Sequence, residues 1–121
     1  MKNISIIIIF LLCSSCYKTL ELDGFDTSEW RSKEPCSAYR INSVNLVMEN
    51  RELILEATQN EVESLLGAAD EHELYERNQK FFHYRLTPAD TCLTGTAATK
   101  YLSIRFNAIG RASDMQVVIR D

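Results

Sequence analysis

The hydrophobic period of this chain changes at Gly67, and that change decides what it can fold into. Upstream, apolar residues recur at steps of three and four. Ile41, Val44, Val47 and Met48 make one stripe within Ser37 to about Asn50, which predicts a first helix. Thr58-Gln59-Asn60-Glu61 marks the start of a second. It is a capping box, in which the Thr58 hydroxyl accepts from the Glu61 amide and the Glu61 carboxylate accepts from the Thr58 amide. Val62, Leu65 and Leu66 give this helix an apolar face, and Gly67 ends it where a left-handed residue is wanted. Downstream the period is two. The expected strands are Glu71 to Tyr75, Lys80 to Leu86, Tyr101 to Asn107, and a last one carrying Met115, Val117 and Ile119. Glu76-Arg77-Asn78-Gln79 and Asn107-Ala108-Ile109-Gly110 read as connections, and Thr87 to Thr99 as a polar loop.

Alternation of this kind marks a sheet with one buried face and one wetter face. Phe82, Tyr84, Leu86, Leu102, Ile104 and Phe106 fall on one side, and the helix stripes need that side as a partner. The expected fold is α+β: two short helices packed on one face of a small antiparallel sheet of three to four strands. The other face then carries Phe81, His83, Arg85, Tyr101, Ser103 and Arg105. Aromatic and Arg side chains are the types enriched in binding hot spots. Phe81, His83, Arg85, Tyr101 and Arg105 are therefore the candidate protein-binding residues.

The amino terminus has a different character. Lys2 precedes an apolar run from Ile4 to Leu12 that is broken only by Ser5, and Cys13-Ser14-Ser15-Cys16 follows. The run is too short to span a bilayer, which takes about 20 apolar residues, and has the layout of a secretory signal. Its end resembles the lipobox of bacterial lipoproteins, with small residues before the cysteine that is diacylated; Cys13 stands where that family usually has Leu. The resemblance implies a cleaved signal over residues 1–15 and a lipidated Cys16, with acyl chains that hold the protein on a membrane. Residues 16–35 are polar and without periodicity and read as a tether, with Phe25 and Trp30 docking onto the domain over 36–121. Tyr17 is not the aspartate that retains enterobacterial lipoproteins in the inner membrane, and no acidic run follows Cys16. By resemblance to those sorting rules, the expected location is the periplasmic face of the outer membrane.

With Cys13 removed and Cys16 acylated, Cys36 and Cys92 remain. Two thiols in an oxidising compartment are expected to pair, which would contribute about 4 kcal/mol through the long loop closed. Neither has a CxxC spacing or a histidine nearby in sequence, so a redox or metal pair is the weaker reading. A chain of 121 residues with a formal charge of −4 fits one small domain and has no basic patch with interleaved aromatics, which argues against nucleic acid. No hydrolase, phosphate-binding or dinucleotide motif occurs, and His72 and His83 are the only histidines. Without a recognisable nucleophile–base pair the chain is expected not to be an enzyme, and to need no cofactor, metal or small-molecule substrate.

Glu61-Val62-Glu63-Ser64-Leu65-Leu66-Gly67, then Phe82-His83-Tyr84, then Leu102-Ser103-Ile104-Arg105-Phe106 running to Gly110, are similar to successive pieces of the SmpA/OmlA (BamE-like) lipoproteins. The likeness covers about residues 53–119 together with the lipobox. This chain has Ala69 where the family has Pro, and Glu56-Ala57-Thr58 where the family has Gly-Met-Thr. The resemblance implies a non-enzymatic accessory role in outer-membrane protein assembly or envelope integrity, with an envelope protein as partner. The layout also resembles the repeat unit of β-lactamase-inhibitor proteins, which implies an inhibitor or immunity-type binder of a periplasmic enzyme as the alternative.

Overall fold

The computed structural model describes residues 20–32, 34, 36–88 and 99–120. Four short helices precede four strands: α1 (Thr27–Arg31), α2 (Tyr39–Glu49), α3 (Arg51–Ile54) and α4 (Gln59–Leu66), then β1 (Glu71–Tyr75), β2 (Gln79–Arg85), β3 (Thr99–Phe106) and β4 (Ala112–Arg120). The strands form one antiparallel sheet in the order β1-β2-β3-β4. The fold is α+β with an open four-stranded sheet, with two more helical segments than the periodicity suggested.

The helix expected from Ser37 to about Asn50 is α2, which ends at Asn50 as its C-cap. The Asn50 side chain donates to the Leu46 carbonyl at 2.8 Å, and its φ of −105° ends α2 before α3 begins. The break turns Ile54 inward, where it is wholly buried. In α4 the capping box is present in both directions, at 3.2 Å from Glu61 N to Thr58 Oγ1 and 2.9 Å from Thr58 N to Glu61 Oε1. Gly67 follows with φ +75°. A Cβ there would lie 2.8 Å from Arg31 Cγ, because the Arg31 side chain crosses this glycine to donate to the Glu63 and Ser64 carbonyls. Glycine is needed at this position for its φ and for its size.

The core lies between the helices and one sheet face. Val44, Val47, Ile54, Val62, Leu65 and Leu66 meet Phe82, Tyr84, Leu86, Leu102, Ile104 and Phe106. The segment read as a tether differs from that expectation: Leu20 and Leu22 are buried, and Trp30 on α1 has no exposed surface. The Asp26 side chain caps α1 by accepting from Glu29 N, so a polar stretch without apolar periodicity still makes one turn of helix. The packed domain therefore begins well before position 36. Arg40 ties this segment down, donating to the Trp30 and Arg85 carbonyls and to Asp70 Oδ2 at 2.6 Å while lying over the Trp30 ring.

Val117 and Ile119 also depart from expectation. They share the face of Leu102 and Lys100, yet are 42% and 63% exposed. The helix layer covers β4 only as far as Met115.

Candidate functional site

The sheet face turned away from the helices brings together every protein-binding candidate read from the sequence. Strand register pairs Phe81 with Arg105, His83 with Ser103, and Arg85 with Tyr101 across β2 and β3. Directly opposed residues of an antiparallel pair share a face. Arg85 is the least available of them, since its guanidinium donates to the Thr87 and Pro88 carbonyls.

This face is not evenly wet. His83 and Ser103 are only 3% and 5% exposed. His83 Nδ1 lies 2.6 Å from Ser103 Oγ, and Nε2 lies 2.9 Å from Glu73 Oε1 on β1. The Phe81 ring stacks parallel on the imidazole at 5.6 Å, and Tyr101 meets it edge-on at 6.3 Å. Tyr75 in turn packs edge-on against Phe81. Arg120, at the far end of β4, lies over the Tyr101 ring and reaches Glu71 Oε2 and Glu73 Oε1, each at 3.2 Å. The edge strands are three strand spacings apart, about 14 Å along the sheet. The Arg120–Glu71/Glu73 contact is thus a strap laid across β3 and β2, and it roofs His83.

The hydrogen bonding fixes the imidazole. Arg120 Nη2 also approaches His83 Nε2 at 3.2 Å. A guanidinium only donates and a carboxylate only accepts, so one Nε2 cannot serve both partners. A proton on Nε2 satisfies Glu73, leaves Nδ1 to accept from the Ser103 hydroxyl, and leaves Arg120 held by its two glutamates. The bond from His83 is the main cause holding the Glu73 carboxyl below its ordinary value, with the Arg120 bond and charge adding to it against desolvation.

Serine, histidine and glutamate in this order are the components of a nucleophile chain, and the sequence alone did not bring them together. Here the Ser103 hydroxyl is bonded to the imidazole in a nearly closed setting. Ser103 is nearly buried on an interior strand, where the surrounding amides are committed to ladders on both sides. The trio is a satisfied polar core that fixes a platform.

Beside that core the face hollows into a depression of about 460 Å³, bordered by Glu73, Tyr75, Phe81, Arg105, Asp114 and Arg120. A second depression of similar volume, about 420 Å³, lies over Trp30, Arg31 and Arg40, whose guanidinium groups are already spent on carbonyls and on Asp70. Among the described residues no cluster of three or more His, Cys, Asp or Glu could hold a metal ion, and no helix is long and apolar enough to cross a membrane. His72 is exposed at the sheet edge with its ring against Phe82. Cys36 is disulfide-bonded. Cys92 and the lipidation candidate Cys16 lie outside the described residues.

Sequence reasoning missed Glu73, Asp114 and Arg120. The signal that could have found them is the register itself, which aligns Glu73, Phe81, Arg105 and Asp114 in one row across the sheet. No family model, no curated protein and no solved structure matches this chain.

Proposed function

We propose that this protein is a lipid-anchored lipoprotein of the outer membrane, facing the periplasm, that serves as a non-enzymatic protein-binding module in envelope maintenance or outer-membrane protein assembly. The observation that carries the binding role is the sheet face opposite the helices. It sets Tyr75, Phe81 and Arg105 around a hollow, with Tyr101 against the imidazole beside it, over a buried His83–Ser103 pair that holds the platform rigid. Rigid aromatic anchors beside Arg lose little entropy on docking. Membrane attachment rests on Cys16 and the apolar run before it.

A BamE-like origin for the fold draws support from one backbone detail. Glu56 stands where that family has glycine, and its φ is +74°, a conformation natural to glycine and costly for other residues.

Crosslinking and mass spectrometry of the full-length protein in its native membranes test the proposal, beside a Cys16→Ala control. The expected result is one envelope protein enriched in stoichiometric yield and lost in the control. A partner retained equally without lipid favours the inhibitor or immunity reading, in which the domain alone binds a periplasmic enzyme. No enriched protein in either sample overturns protein binding.

A further inference from the structure

The charges on the sheet face opposite the helices fall into two groups. Glu71, Glu73, His83 and Arg120 close on one another: Arg120 reaches both glutamates at 3.2 Å, and His83 holds Glu73 at 2.9 Å. Arg105 and Asp114 stand outside this circuit. Register sets them directly opposite across β3 and β4, in one row with Glu73 and Phe81. Asp114 nevertheless accepts from Gln116 Nε2, at 3.0 Å on its own strand. Arg105 uses only its Nε, on Ser113 Oγ at a long 3.4 Å. A guanidinium donates from Nε and from both Nη groups, so the two Nη groups are left over. Among the described residues Arg105 makes no ion pair.

The surroundings of these free donors are not open solvent. Arg105 is half-buried and borders the hollow of about 460 Å³, whose apolar wall is Tyr75, Phe81 and Val118. Phe81 is fixed from two sides, by the Tyr75 ring at 5.5 Å and the His83 ring at 5.6 Å. A rigid aromatic ledge and a guanidinium with unused donors therefore adjoin at directly opposed positions of β2 and β3. The guanidinium fork matches the two oxygens of a carboxylate, and the ledge keeps water from competing for it.

We propose that Arg105 selects the docking partner by holding an Asp or Glu side chain of that partner in a two-bond fork, while an apolar residue beside that acid rests on Phe81 and Tyr75. The inference rests on the reading of this face as a docking surface and adds what the partner must carry. The carboxylate belongs to a side chain rather than to a chain terminus. Terminal carboxylates are captured in nests of backbone N–H groups, and β2 and β3 are interior strands laddered on both sides. Arg120 does not share the task, since its guanidinium is laid across β3 and β2 onto its own glutamates. Asp114, the acid directly opposite the fork, is held along β4 by Gln116.

The test uses full-length protein in its native membranes and a carbodiimide, which joins an amine to a carboxylate only where the two touch. Arg105→Lys puts an amine at the fork, and the unsubstituted protein carries the same other lysines without it. A photo-crosslinking amino acid at Tyr101, beside the hollow, reports docking independently. The expected result is a carbodiimide adduct from Arg105→Lys that the unsubstituted protein does not give. It should match the mass of the Tyr101 photo-adduct and map by mass spectrometry to an Asp or Glu side chain of the partner. Arg105→Glu should lower the Tyr101 adduct by about tenfold, whereas Asp114→Asn, which removes the acid facing the fork, should leave it equal or higher. Absence of the carbodiimide adduct, or a Tyr101 adduct that survives Arg105→Glu, overturns the carboxylate contact; where the unsubstituted protein still gives the Tyr101 adduct, the docking face itself stands. An adduct lost equally in Asp114→Asn means that the partner brings a cation, and overturns the inference as well. No Tyr101 adduct with Arg105 in place removes the docking surface, and the inference with it.

Discussion

At the scale of single residues, the molecule turns on a buried imidazole. His83 was read as one of the candidate binding residues, and in the structure Phe81 stacks on it and Glu73 bonds it. Burial to 3% was not legible, because the roof over it comes from Arg120, 37 positions away. A local pattern cannot show that a side chain crosses two strands. The electrostatics give a prediction with a definite sign. The folded-state carboxyl of Glu73 titrates below its ordinary 4.5, so its contribution to stability is full above that value and is lost as pH falls through the folded pKa. Glu73→Gln should lower Tm at pH 7, and the gap to the unsubstituted protein should close as pH is taken below about 4. Thermal melts of both proteins across pH 3–7 check this; a gap that stays constant would show that the His83–Glu73 bond is not the cause.

At the scale of elements, local chemistry was legible wherever it is self-contained. The capping box and Gly67 needed only neighbours in sequence, and both are present as read. The end of α2 at Asn50 was legible as well; the helix at Thr27–Arg31 was not, since it depends on a cap made by one side chain in a stretch with little apolar pattern. Two substitutions should move stability in opposite directions. Thr58→Ala removes the α4 cap and should cost about 1 kcal/mol. Glu56→Gly relieves a left-handed residue and should stabilise by up to about 1 kcal/mol, partly offset by the freer unfolded chain. Urea titrations of both variants measure the pair, and a destabilised Glu56→Gly would mean that the turn is held by more than its φ.

At the scale of the whole molecule, alternation in β2 and β3 predicted the two-layer arrangement, because a sheet buried on one side must write its faces into its sequence. The extent of the layer was harder to see. Trp30 was expected to dock onto the domain from a polar tether, and its ring does so against Phe25 and Tyr84, with Arg40 above it; that the segment around it also packs was not foreseen. Trp30→Ala should therefore cost about 3–5 kcal/mol, the loss expected for a large aromatic in a packed core. Chemical denaturation would show this, and a change under 1 kcal/mol would return the segment to the status of a tether.

The sheet face as a docking surface is the claim on which the account stands. It is tested most directly by a photo-crosslinking amino acid placed in the full-length protein in its native membranes, at Phe81 or Tyr101 on that face and at Leu53 on the helix side. The account predicts one discrete adduct with an envelope protein from Phe81 and from Tyr101, and none from Leu53. An adduct from Leu53 alone, or no adduct from either position on the sheet, would contradict it.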